Sequence, residues 1–234
     1  MALTTTGPVV TVEGLVRRFR RGSETVLALD GVSLELHGGE LTVAAGPSGS
    51  GKTTLLSIIA GIERADAGRV RAHAPLPEQV PHHRLGWRHL AFVPQALALL
   101  DELTVAENVD LPARLDPDPP AGGSATAELL ELLEIDHLAR RYPSLTSGGE
   151  QQRTAVARAL RLHPPLLLGD EPTGHQDRAR IELLLTVLRQ HAYNGAAVLI
   201  ASHDQDVIAA ADRVITLADG SITSDTRTQA RSYG

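Results

Sequence analysis

Apolar and polar positions alternate in short stretches over residues 8–36: Val9-Val10-Thr11-Val12, Leu15-Val16, Val26-Leu27-Ala28-Leu29 and Val32-Ser33-Leu34-Glu35-Leu36. Gly22-Ser23, Gly31 and Gly38-Gly39 punctuate them. This pattern predicts short antiparallel strands joined by turns. The pattern then changes. Leu41–Ala45, Pro164–Leu168 and Ala196–Ala201 are continuous apolar runs, the mark of strands buried on both faces of a parallel sheet. Helical patterns fall between them: Asp101–Leu115, capped by Thr104 or Asp101; Ala125–Ile135, with a wide apolar face; Ser147 or Gly148 to Leu160; and Asp177–Ala192. Arg69-Val70-Arg71 and Leu90–Val93 read as further strands. Residues 204–210 read as a helix, Val214–Leu217 as one arm of a hairpin around Asp219-Gly220, and the last ten residues as a frayed polar end.

The densest chemical signal follows the first apolar run. Gly46-Pro-Ser48-Gly49-Ser50-Gly51-Lys52-Thr53 fits the phosphate-loop pattern, and Thr54, Leu55, Leu56, Ile58 and Ile59 then read as a buried helix ending near Gly61. Glycines let backbone N–H groups face a phosphate with no Cβ in the way, and a helix N-terminus adds partial positive charge at the same point. Lys52 is placed to reach the β- and γ-phosphates, and the Thr53 hydroxyl to ligate Mg²⁺. The alternative is a glycine-rich turn before an ordinary helix; a chain of this length matches the bare pattern by chance about one time in a hundred. Lys52 is also the only lysine, all other basic residues being arginine. A compact ammonium on a flexible stem is therefore retained where arginine would not serve.

A second signal ends the run at 166–171. Asp170 and Glu171 close a buried strand, where carboxylates are costly unless they do something. The functional reading puts Asp170 on Mg²⁺ and Glu171 beside the γ-phosphate, polarising a water. Ser202-His203-Asp204 ends the third apolar run, which makes His203 a candidate for the γ-phosphate. Gln95, straight after Leu90–Val93, is either a loop residue or a ligand contact at a strand's carboxyl end. Phe19 is either a half-buried strand residue or a plate for a purine. His73, His82, His83 and His89 lie in or beside a proline-rich stretch without acidic or thiol partners at ligand spacing, and read as a solvated loop rather than a metal site.

Composition narrows the partners. Net charge is −6 and aromatics are 3%, which gives neither an overall basic balance nor stacking platforms for nucleic acid; no nucleic-acid partner is expected. There is no cysteine, so disulfides, thiol nucleophiles and thiolate metal sites are excluded. No signal peptide is read at the N-terminus, and no run approaches the roughly 20 apolar residues that span a bilayer. A role at a membrane would need a spanning part from another chain.

Together these pieces resemble the ATP-binding subunits of ABC transporters. The resemblance rests on residues 46–56, Gln95, Ser147-Gly-Gly-Glu-Gln-Gln-Arg-Thr-Ala-Val-Ala-Arg-Ala-Leu (147–160), Gly-Asp-Glu-Pro-Thr-Gly (169–174) and Ser-His-Asp (202–204), in the family's order. The signature segment at 147 decides it, since other phosphate-loop ATPases lack it. Asp-Glu-Pro-Thr-Gly and Leu-Thr-Val-Ala-Glu-Asn-Val (103–109) are similar to the macrolide-export, lipoprotein-release and cell-division branch. The implied fold is α/β, a phosphate-loop NTPase core with a mainly parallel sheet, an N-terminal antiparallel β subdomain and a helical subdomain at about 97–162, inserted in one domain spanning 1–234.

The resemblance implies ATP and Mg²⁺ as cofactors, with Gly46, Ser48, Gly49, Ser50, Gly51, Lys52, Thr53 and Thr54 around the phosphates and Phe19 on the adenine. It implies Thr53, Gln95 and Asp170 at Mg²⁺, and Glu171, His203, Gln95 and Lys52 in catalysis. Ser147, Gly148 and Gly149 would bind the γ-phosphate of ATP held by a second copy, with Asp177 as the D-loop aspartate. The implied partners are that second copy, arranged head to tail, and an integral-membrane permease that holds the chain at the inner face of the membrane. A soluble single-cassette ATPase and a nucleotide-binding regulator are the alternatives. Thr146 stands where the family has Leu, and Gly174-His175-Gln176-Asp177 where the branch has Gly-Asn-Leu-Asp. These departures bear on dimer closure, not on ATP binding.

Overall fold

The computed structural model describes residues 7–22, 24–78, 82–119, 125–174 and 176–227. The expected features at Ser23, His175 and the last seven residues lie outside them. Two sheets carry the chain. The first has the order β2-β1-β4, with β1 Pro8–Arg21, β2 Glu24–His37 and β4 Ala67–Ala72, all antiparallel. The alternating segment at 8–36 is therefore not several short strands but two long ones. Gly14 (φ 58°) and Gly31 (φ 70°) take left-handed conformations within them, and the register of β1 against β2 shifts between Val12 and Leu15. A glycine accommodates such an irregularity without breaking the strand.

The second sheet has the order β5-β6-β7-β3-β8-β9: Leu90–Val93, Leu166–Asp170, Ala197–Ser202, Glu40–Ala45, Arg213–Ala218 and Ser221–Arg227. The first five run parallel; β9 returns antiparallel to β8 around Asp219-Gly220. Successive residues of a strand face opposite sides. In β6, Leu166 and Leu168 enter one core and Leu167 the other; in β7, Leu199 and Ala201 oppose Val198 and Ile200. Both faces are buried, which explains the uninterrupted apolar runs. One core packs the sheet against α1 (Lys52–Ile59) and the antiparallel sheet. The other packs it against helices α2 to α5.

Three of those helices, α2 (Val105–Leu115), α3 (Thr126–Leu132) and α4 (Gly148–Leu160), lie in sequence between the neighbouring strands β5 and β6. Thr104, not Asp101, caps α2: its hydroxyl accepts from Glu107 N, and the Glu107 carboxylate accepts from Thr104 N, 2.9 Å. Ser147 and Glu150 cap α4 in the same way. Asn108 is fully buried and bonds both main-chain groups of Leu100, fixing the segment that follows Gln95. α5 (Arg178–Tyr193) starts on Asp177 as its cap, and α6 (Gln205–Ala209) starts on Asp204. No helix among the described residues is long and apolar enough to cross a membrane.

Near the end of α5, His191 is buried and its Nε2 donates to the Pro164 carbonyl at 2.9 Å. Burial pushes its pKa down to about 4, against the opposing pull of that hydrogen bond. The unfolded chain, near 6.5, then binds the extra proton first, so stability falls as pH drops from about 6.5 toward 4, by up to about 3 kcal/mol. His191→Gln is expected to flatten that part of the slope. Urea midpoints of both proteins at pH 7 and pH 4.5 check it.

Candidate functional site

Four parallel neighbours, β5, β6, β7 and β3, end on one edge of the sheet. Their carboxyl ends deliver Gln95, Asp170 with Glu171, His203, and the loop 46–51. Ligands of open α/β sheets bind at this edge.

The loop is built from close backbone approaches. Gly46 (φ 146°) has no room for a Cβ, which would sit 2.2 Å from the Leu217 carbonyl oxygen. At Gly51 (φ 104°) a Cβ would meet the Ala28 carbonyl oxygen at 2.4 Å. Gly49 (φ 81°) faces open space. Ser48 and Gly49 are exposed at the loop tip. The Ser50 hydroxyl is buried without a hydrogen-bond partner. Lys52 is 7% exposed and its Nζ donates to the carbonyls of Gly46 (2.8 Å) and Pro47 (2.9 Å), so the ammonium is held across the loop. Thr53 and Thr54 begin α1, which packs on β6 and β7.

Asp170 is buried, with the Thr53 side chain beside it. Burial pushes the Asp170 carboxyl above its ordinary range; the Thr53 hydroxyl opposes this, neighbouring Glu171 adds to it, and Lys52 opposes it. Glu171 stands in the left-handed region at φ 52°, a conformation costing about 1–2 kcal/mol for a residue with a side chain. Its N–H donates to Ala201 O at 3.0 Å, and its carbonyl accepts from Gly174 N at 3.0 Å. These bonds hold the turn and aim the carboxylate off the strand. His203 Nδ1 lies 2.8 Å from Glu171 Oε1. The sequence put His203 near a phosphate; the structure adds that it pairs with the carboxylate that would orient water.

The donor set fits a nucleotide with a magnesium ion. Loop backbone packs where side chains cannot, an orphaned Ser50 hydroxyl lies beneath it, and hard oxygen donors of Thr53 and Asp170 meet beside Lys52. Gln95 is exposed at the end of the strand next to Asp170. Phe19 is half-buried on β1, with the Arg17 guanidinium 4.5 Å from its ring centroid. It pairs with Val26 of β2, two residues before the Ala28 that abuts Gly51.

Ser147, Gly148 and Gly149 are not brought to this edge. With Glu150, Arg153, Gln176, Asp177 and Arg180 they line a separate cavity of about 410 Å³ that holds no residue of the phosphate loop.

This geometry has close counterparts. The profile of the family described as ABC transporter matches residues 29–174. The chain belongs to the ABC transporter family. The lipoprotein-releasing system ATP-binding protein LolD of Gluconobacter oxydans is 39% identical over 229 residues, 94% of this cassette and 97% of that protein. The sulfate/thiosulfate import ATP-binding protein CysA of Pseudomonas aeruginosa is 39% identical over 88% of this chain. The cassette spans 64% of that CysA and 35% of the macrolide export ATP-binding/permease protein MacB of Bradyrhizobium diazoefficiens, to which it is 37% identical. Among solved structures, the ATP-binding cassette MJ0796, a dimer in a post-hydrolysis state with ADP and phosphate, superposes with a TM-score of 0.82 at 29% identity, covering 95% of this chain and all of that one.

Reading the sequence alone missed three buried polar residues of α4. Gln152, Arg153 and Arg158 were given no role of their own by the sequence, yet each is buried and bonds another segment. Gln152 Nε2 reaches Glu171 O at 3.5 Å and Arg153 Nη1 donates to Gln176 Oε1 at 2.9 Å. Arg158 donates to the carbonyls of Leu97 and Ala98 at 2.7 Å. A helix with polar residues buried on one flank and apolar ones on the other has no periodicity that gives it away.

The glycine contacts lead to a ranked expectation. Gly51→Ala adds a Cβ against backbone at a positive φ and is expected to cost at least about 2 kcal/mol and most ATP affinity; Gly49→Ala, in open space, about 1 kcal/mol. Chemical denaturation and nucleotide titration of both variants check the order.

Proposed function

We propose that this chain is the ATP-hydrolysing subunit of a membrane transporter, working as a head-to-tail pair under a separate permease. The observation that carries it is the convergence of Lys52, Thr53, Asp170, Glu171 and His203 at one sheet edge. The loop Gly46–Gly51, with Lys52, Thr53 and Thr54, binds the phosphates, and Phe19 stacks on the adenine. Thr53, Asp170 and Gln95 hold Mg²⁺, which neutralises phosphate charge when bound. Glu171 orients the attacking water and accepts its proton, while His203 holds the carboxylate in place. Catalysis is positioning plus charge stabilisation. In a head-to-tail pair, Ser147, Gly148 and Gly149 complete the partner's site, with Asp177 at the interface.

We assign the permease contact to an apolar groove of about 560 Å³. It is lined by Ile62, Trp87, Phe92 and Leu100, and by Pro94 and Ala98 on either side of Gln95 in the chain. Ile62 is 68% exposed and Leu100 43%, an unusual cost for a surface that stays wet. In this reading residues 97–162 form the inserted helical subdomain of one ATPase domain, attached to the membrane's inner face through the permease. The wording at 103–109 and 170–174 favours export or membrane extraction.

Lys52→Arg is expected to lose at least tenfold in ATP affinity or turnover. Glu171→Gln is expected to keep ATP binding and lose about 100-fold or more in turnover. Steady-state hydrolysis with nucleotide titration checks both, and full activity in either variant contradicts the assignment.

A further inference from the structure

Phe19, proposed to stack on the adenine, does not stand alone on β1. Two residues before it, Arg17 lays its guanidinium over the ring, 4.5 Å from the centroid. That cation is pinned by two carboxylates. Arg17 Nη2 lies 2.9 Å from Glu63 Oε1, and Nη1 donates to Asp66 Oδ1 at 3.0 Å. Asp66 is itself stapled to β1: its N–H donates to the Val16 carbonyl at 2.8 Å, and its Oδ2 accepts from Arg18 N at 2.7 Å. The Glu63 N–H donates back to the Ser57 carbonyl of α1 at 3.1 Å. The cation over Phe19 is thereby tied to the far end of the helix that Lys52 opens.

A guanidinium held by carboxylates at fixed backbone positions lacks the freedom of a surface arginine. The Arg18 N–H holds the Asp66 carboxyl below its ordinary range; burial opposes this and Arg17 adds to it, so the carboxylate stays charged. Arg17 Nε is buried without a hydrogen-bond partner, so the guanidinium keeps its place over the ring at the loss of one bond. A cation is attracted to the face of an aromatic ring, and a planar guanidinium also stacks on it. With Arg17 on one face, the turning of the Phe19 ring is hindered and one face is left for a base. Phenylalanine carries no hydrogen-bonding group, so its hold on a purine is stacking, which depends on the orientation of the ring.

We infer that Arg17 is a positioning residue for the base of the nucleotide: with Glu63 and Asp66 it fixes the plane of Phe19, so that the ring's free face meets the adenine while the phosphate loop holds the other end of the same ligand. This rests on the stacking reading above and deepens it. Its consequence is a division of labour. Losing the Arg17 charge weakens the grip on the base and leaves the grip on the phosphates as it was.

The test uses the full chain and compares two ligands, ATP and inorganic tripolyphosphate, each with Mg²⁺. Arg17→Met keeps a long unbranched side chain and removes its charge. Its Kd for ATP is expected to rise at least about threefold, with the Kd for tripolyphosphate unchanged, which also shows the phosphate site to be folded. Arg17→Lys, which retains a cation, is expected to recover at least about half of that loss. Asp66→Asn leaves Arg17 and Phe19 in place and keeps an acceptor for Arg18 N; it is expected to weaken ATP selectively as well, by less. In a Phe19→Leu background, Arg17→Met is expected to add nothing. An Arg17→Met protein that binds ATP as the parent does, or that loses ATP and tripolyphosphate equally, overturns the positioning role and leaves the stacking reading standing. A Phe19→Leu protein that binds ATP at the parent's Kd overturns the stacking reading and this inference with it.

Discussion

Gly46 and Gly51 lay the phosphate loop directly against the backbone of two other strands, at the Leu217 and Ala28 carbonyls. No side chain fits at either contact, so the loop's path is set by packing before any ligand arrives. Lys52 then has a fixed base from which to span the loop through the Gly46 and Pro47 carbonyls. α1 follows in a fixed direction, and that direction puts Thr53 on Asp170. The Ala28 contact also locks the antiparallel sheet, and with it Phe19, to the parallel one. The site is preorganised because its weakest-looking element, a glycine-rich loop, is wedged between backbones rather than left free.

Much of this was legible from spacing alone. Residues 46–53 carry a pattern whose chemistry constrains residue type at nearly every position, and the strand-loop-helix context was visible in the apolar runs on either side. The parallel core strands were legible because burial on both faces removes the polar alternation. The length of β1 and β2 was not. Their bulges at Gly14 and Gly31 interrupt the period of two, and an interrupted period reads as separate strands. Capping chemistry, which is local, narrowed two helix starts to Asp101 or Thr104 and to Ser147 or Gly148, and the structure chooses Thr104 and Ser147; the end of α3 at Leu132, short of the expected Ile135, depends on packing, which is not local.

The site's internal ties were the least legible part. The hydrogen bond between His203 and Glu171, and those from Gln152 and Arg153 to the Glu171–Gln176 segment, join residues that are 32, 19 and 23 positions apart. Nothing in a single sequence pairs them. Gln176 stood out only as a departure from related chains, a sign that something there differs without saying what. Its two bonds supply the physical content: the amide is held within the chain, by Gly149 and Arg153 of α4.

The account's central claim is that each phosphate site is finished by another copy's Ser147 turn. The most direct measurement is the order of ATP hydrolysis in protein concentration, with the full chain at saturating ATP and Mg²⁺ and well below the concentration at which it dimerises. The expected result is a rate that rises with the square of protein concentration and becomes linear once dimers saturate. A rate linear from the lowest concentration, with a monomeric mass throughout, would mean that one chain hydrolyses ATP alone, and would contradict the account.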